Sequence, residues 1–335
     1  MDGMKCTTAV ELATYLRNLC KVEGLSVDRI IVGDPNVVIQ KVGTCWLPYF
    51  NILQQAYDVG VNVLVCHEPT FYAHFDLEKT EDCEYKKHYI SHGETTALQA
   101  YSSMVEKKKQ WILEHGMTII RCHDVLDALP DFGVPFALGK ILGFRKDDLI
   151  RSRKYVNVYR TTPTTAGLAA KYIAKQLHTI GQAGVAFYGN PERAVKSIAL
   201  GTGCFSDPLD MMELSADLYI TIDDSIHTWV QPVFAADSGM PLVVINHGTS
   251  EEPGMQRLCE HLQTVLEQPV EHFFVAADIT GLQGSEIILS RKGKSKDIWK
   301  PWSRSRRSAD SSQVTNGQGQ DERRTAALDP LRPAC

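Results

Sequence analysis

Short apolar runs alternating with amphipathic stretches constrain this chain more than any other feature of its sequence. VNVLVC (61–66), MTIIRC (117–122), KYVNVY (154–159), VKSIALGTG (195–203), LYITID (218–223) and PLVVINH (241–247) are too short for core helices and rich in β-branched residues. Between them lie segments with helical spacing. Ala9 to Leu19 follows Thr8 as N-cap, with Glu11 placed to close a capping box. Residues 48–60 end at Gly60, residues 95–115 stop at Gly116, and Ala166 to Leu177 and Pro253 to Leu266 complete the set. Strands alternating with helices predict an α/β fold with mostly parallel central sheets. The length, 335 residues with 44% hydrophobic, leaves room for two α/β lobes, the N- and C-terminal parts sharing one.

Charge divides the chain. Residues 291–335 hold 11 Lys+Arg against 5 Asp+Glu, and residues 1–290 hold 24 against 35. The folded body is therefore expected at 1–290, and an acidic body argues against a nucleic-acid-binding core. Its surplus carboxylates suit cations instead. Residues 291–335 read as a disordered basic tail, too poor in aliphatics to offset ordering entropy. Trp299 and Trp302 lie among its basic residues, so contact with RNA or an acidic membrane stands as the alternative to a solvated tail. No run of eighteen apolar residues occurs, and MDGMKCTTAV lacks the pattern of a signal peptide, so no membrane association and a cytoplasmic location are expected. None of the nine cysteines forms a CxxC pair.

In open parallel sheets, sites form beyond the carboxyl ends of the strands. VNVLVC is followed by His67 and Glu68, and MTIIRC by His123, Asp124 and Asp127. LYITI is followed by Asp223, Asp224 and His227, and PLVVIN by His247 and Glu251. Imidazole with carboxylate suits first-row divalent metals, and no Lys or Arg follows these strands at once, as a phosphate site would require. Each piece also has a structural reading. His67-Glu68-Pro69 reads as a turn, Asp124 and Asp127 as turn caps, and His227 as a surface histidine. Glu251 and Glu252 read as acids meeting the dipole of a helix capped by Ser250. Taken as a set at four strand ends, they favour a site. Cys66 and Cys122 precede histidines, but strand alternation turns them away from it. Gly201-Thr202-Gly203 lacks a third glycine and a Walker lysine, and reads as a tight turn or a close approach to a ligand.

Three segments carry a family resemblance running from about residue 8 to 285: LVCHEPTFY (64–72), CHDVLDALPDFGVPFALGKILGF (122–144) and INHGTSEEPGM (245–255). They resemble the Nif-three-like dinuclear-metal proteins, also known as GTP cyclohydrolase 1 type 2 homologues. The resemblance implies a two-lobed fold with metals in the inter-lobe cleft, and a homohexamer. It implies His67, Asp127, His247 and Glu251 as ligands, with Glu68 standing where many members have a second histidine. His123 matches a site histidine, and His227 one of those that follow the fourth strand. Two divalent ions, iron, manganese or zinc, are the implied cofactors, with Asp124, His123 and His227 available to move protons. The expected activity is metal-dependent hydrolysis of a small molecule, such as purine ring opening. A non-catalytic metal-binding scaffold or regulatory protein is the other class.

Overall fold

A computed structural model describes residues 6–76, 92, 93 and 95–275. The basic tail lies outside them. The chain divides into two units, Met1–Gly281 and Leu282–Cys335, and the described residues all belong to the first.

The first sheet has five strands in the order β1-β4-β3-β2-β11: Ile30–Val32, Thr118–Arg121, Val63–Cys66, Val42–Cys45 and Val270–Phe273. All neighbours are parallel except β1 on β4. The C-terminal β11 thus pairs with the N-terminal β2. Strand alternation sends Val63 and Val65 to one face and Leu64 and Cys66 to the other. Both faces are covered. Helices α1 (Ala9–Arg17) and α9 (His247–Val265) pack on the first, α2 (Phe50–Asp58) and α3 (Thr95–Glu114) on the second. Burial on both faces is why these strands read as continuous apolar runs.

The second sheet has six strands in the order β5-β6-β8-β9-β10-β7: Leu149–Arg153, Val156–Thr165, Ala194–Gly201, Leu218–Ile222, Leu242–Ile245 and Ala186–Tyr188. Its centre, β8-β9-β10, is parallel; β6 and β7 pair antiparallel on either side of it, and β5 pairs antiparallel with β6. Helices α5 (Val134–Ile141) and α6 (Ala166–His178) cover one face; α7 (Pro208–Met211) and α8 (Gln231–Ser238) cover the other. No helix among the described residues is long and apolar enough to cross a membrane.

Helix α9 joins the two sheets. It leaves the end of β10 and runs onto the first sheet, burying Met255, Leu258, Cys259 and Leu262 there. It begins earlier than the sequence rules predict. Asn246, not Ser250, is the N-cap, its side chain accepting from the Thr249 N–H at 3.1 Å. Pro253 looks like a first helical residue but sits inside the helix, where its missing N–H removes one helical bond. Glu252 is therefore no exposed dipole acid. It is 1% exposed and lies 2.8 Å from His272 Nε2 of β11, whose Nδ1 lies 2.9 Å from Thr44 Oγ1. Glu252→Ala removes the acceptor of the buried Val275 N–H and the carboxylate facing the His272 imidazole, costing about 1–3 kcal/mol. The melting temperature should drop by several degrees; an unchanged value would show that the pair adds nothing.

Candidate metal centre

Register places the site residues in rows. Because β2, β3 and β4 are parallel neighbours, their carboxyl ends present Trp46, His67 with Glu68, and His123 side by side. The parallel β8, β9 and β10 do the same for Gly203, Asp224 and His247. Helix α9 then carries Glu251 one turn beyond His247, on the same face.

Glu251 stands between the two rows, 1% exposed. Its Oε2 lies 3.3 Å from His67 Nε2 and its Oε1 3.1 Å from His247 Nε2. Trp46 Nε1 donates to Oε2 at 2.8 Å. Gly248 lets Trp46 approach: a Cβ there would lie 2.8 Å from the indole. Gly203, at φ +62, lies against Glu251, where a Cβ would come within 3.0 Å of Oε1. The Gly-Thr-Gly segment is thus a turn whose second glycine lies against a side chain, that of Glu251. Asp127, on α4 (Asp124–Ala128), puts Oδ1 3.5 Å from His67 Nε2, and Glu68 puts Oε1 3.4 Å from His247 Nε2.

The second ring nitrogen of each central histidine is occupied. His67 Nδ1 lies 3.2 Å from the Cys122 carbonyl, and His247 Nδ1 lies 2.8 Å from Asp224 Oδ2. A carbonyl and a carboxylate are acceptors, so both rings carry the proton on Nδ1 and turn Nε2 inward. There His67 Nε2, His247 Nε2 and Asp127 Oδ1 are buried without a hydrogen-bond partner. Orphaned buried polar atoms are costly unless something binds them. His67, Asp127 and Glu251 form one group able to hold an ion; Glu68, His247 and Glu251 form another. Donors at about 2.1 Å from a shared ion lie roughly 3–3.4 Å apart. The observed spacings of 3.1 to 3.5 Å match. The residues fit a divalent metal.

Of the remaining predicted residues, His123 joins the cluster and His227 does not. The His123 ring stacks on His67 at 4.5 Å, with Nδ1 2.9 Å from Asp124 Oδ1 and 3.5 Å from Asp127 Oδ2. Asp124 also accepts the Val27 N–H at 2.9 Å. Burial would raise Asp124, but the hydrogen bonds from His123 and Val27 hold it far below the usual carboxylate range. His227 is exposed, and among the described contacts its ring has none with the cluster; its backbone N–H donates to Gln231 Oε1 at 2.8 Å. Cys66 and Cys122 belong to opposite cores, and burial pushes the Cys66 thiol up to about 12 and Cys122 well above its ordinary value. Neither is a thiolate nucleophile.

Sequence reasoning misses three contributors and the role of a fourth. Trp46 follows VGTC, a strand with no apolar run to signal it. Asp28 anchors α4, accepting from the His123 and Val125 N–H groups. Asp224 is legible as an acid at a strand end, but its hold on His247 is not. Arg121, 1% exposed, is the last residue of β4.

Comparison with known proteins bears on this arrangement. The family description Duf34/NIF3 (NGG1p interacting factor 3) matches residues 95–280, more than half of the chain. The chain belongs to the Duf34/NIF3 family. A Chlamydia pneumoniae relative named GTP cyclohydrolase 1 type 2 homolog is 21% identical over 245 residues, 73% of this chain and 86% of its own. A hypothetical protein of Staphylococcus aureus superposes with a TM-score of 0.61 at 18% identity, covering 81% of this chain and 98% of that one. A Bacillus cereus protein related to NIF3 gives 0.59 at 13% identity, covering 79% and 96%. At these identities the structures establish a shared Duf34/NIF3 fold.

The carboxylates of the cluster raise both central histidines. Burial pushes the His67 ring down, but Glu251, Asp127 and Glu68 outweigh it and hold it at about 10. His247, also opposed by burial, is lifted to about 11, chiefly by Glu251 and Asp224. Burial pushes Asp127 up to about 6 against the pull of His123 and His67. The histidine shifts fix a sign. A raised folded pKa gives stability that is complete below the ordinary value of 6.5 and lost as pH rises through the folded one. The metal-free chain should therefore need less urea to unfold as pH rises from about 7 to 10. A flat or rising midpoint would contradict the protonated pair.

Proposed function

We propose that the chain holds two divalent ions, iron, manganese or zinc, and is a metal-dependent hydrolase acting on a small molecule. The observation that carries the reading is Glu251 with one oxygen toward each of two orphaned imidazole nitrogens. His67 and Asp127 would hold one ion, His247 and Glu68 the other, with Glu251 shared between them. Such ions supply Lewis-acid activation of water and of a carbonyl, phosphoryl or purine C8 centre.

The chain's own residues supply the rest. Asp224 and the Cys122 carbonyl orient the two histidines. His123 is the proton carrier at the site, its Nδ1 set between Asp124 and Asp127. Asp124 is its fixed anionic partner, and His227 serves only if its loop turns inward. Purine ring opening is the specific form suggested by the name of the Chlamydia relative. The homohexamer implied by the resemblance belongs to the same proposal, and Trp229, Val233 and Phe234 give it exposed apolar surface to bury. A monomer in light scattering would count against it.

Elemental analysis of the full chain should find about two divalent ions per chain. His247→Ala and Glu251→Ala should each remove metal while the fold persists, and Glu252→Ala should keep it. Full occupancy in Glu251→Ala would overturn the shared-carboxylate reading. Metal bound with no turnover across a screen of esters, amides and purine nucleotides would favour a non-catalytic role.

A further inference from the structure

The segment from His67 to Asp76 contains two non-glycine residues with left-handed backbone, Tyr72 at φ 63 and Asp76 at φ 46. Such strain persists only where the surroundings over-determine it. Here two buried cations do so. Lys108 of α3, 1% exposed, donates Nζ to the Thr70 carbonyl at 2.9 Å. Arg121, the last residue of β4, turns its whole guanidinium to this segment. Nε donates to the His67 carbonyl at 2.9 Å, and Nη1 donates to the His74 carbonyl and lies 3.4 Å from Asp76 Oδ2. Nη2 lies 3.4 Å from Glu68 Oε2.

That last contact divides the Glu68 carboxylate. Oε2 faces Arg121, and Oε1 faces His247 Nε2. One side chain therefore holds the main chain of one candidate ligand, His67, and the carboxylate of another, Glu68. The planar fork of arginine reaches these acceptors together; a lysine ammonium of similar length cannot.

We infer that Arg121 is a positioning residue for the Glu68–His247 half of the centre, holding Glu68 so that it offers a single oxygen. The inference rests on the two-ion reading above. It also makes the two positions unequal. The halves differ at the imidazole: the His67 side chain is fully buried and that of His247 is 12% exposed, while the carboxylates Asp127 and Glu68 are each 12% exposed. A guanidinium against Glu68 further weakens that carboxylate as a donor. The Glu68–His247 position loads second and releases its ion first.

The test is a cobalt(II) titration of the full-length, metal-free chain, read by visible absorption and by bound equivalents. The wild type should fill in two steps of unequal affinity. Arg121→Lys keeps the charge but loses the fork. It should weaken the second step by about 10–100-fold, the usual cost of losing a partner that orients a metal ligand, and the first, where Arg121 holds only the His67 main chain, by clearly less. Two unchanged steps, or two steps weakened alike, would overturn the inference. If Arg121→Lys does not fold, hydrogen exchange in the wild type decides. Amides of residues 67–76 should gain protection with the second cobalt equivalent and not with the first; equal protection at both, or none at either, overturns it. A wild type that takes up no cobalt would instead overturn the two-ion reading itself, a separate outcome.

Discussion

The site depends on one buried carboxylate. Glu251 is almost wholly removed from water, with an imidazole facing each oxygen and an indole N–H on one of them. Burying a carboxylate costs several kcal/mol unless positive charge or hydrogen bonds offset it. In the metal-free chain the offset comes from protons. Burial would raise Glu251, but His247 and His67 hold it well below the usual carboxylate range, and it in turn helps lift them. In the proposed function a divalent ion takes the place of each proton, because the same Nε2 lone pair and the same carboxylate oxygen would serve either.

Helix α9 makes that geometry possible. Starting at the end of a strand in one sheet and anchoring its apolar side on the other, it brings residues from the two sheets to opposite sides of one side chain. The anchors are ordinary core contacts from Met255 to Leu262, and the Glu252–His272 contact ties the same helix to β11. Packing sets the helix axis, and the axis aims Glu251. Partners of the candidate ligands then fix each ring and carboxylate: Asp224 for His247, the Cys122 carbonyl for His67, and Arg121 for Glu68. Most of the polar groups around the centre therefore contact another candidate ligand or a group that holds one.

Much of the site is legible in the sequence because parallel sheets collect chemistry at strand ends. VNVLVC, MTIIRC and PLVVIN are unmistakable buried strands, so the histidines and acids just past their carboxyl ends, His67, Asp127 and His247, can be placed at a common edge. Less is legible where the local signal is weak or misleading. β2 contains glycine and threonine, and β7 has three residues, so neither shows an apolar run. The start of α9 misleads because Pro253 imitates a first helical residue, which would put Glu251 and Glu252 just ahead of an exposed helix start. Arg121 gives no signal because a charged residue at the end of an apolar strand carries no sign of what it touches. Its partners, His67, Glu68, His74 and Asp76, lie 45 to 54 residues away, and only the β3–β4 pairing brings them together.

Anomalous diffraction from crystals of the full chain soaked in manganese or zinc tests the account most directly. Two peaks should appear roughly 3.5–4 Å apart, the separation typical of two-metal sites. One should lie against His67 Nε2 and the other against His247 Nε2, with the Glu251 carboxylate between them. A single peak, or peaks away from both nitrogens with Glu251 unligated, would contradict it.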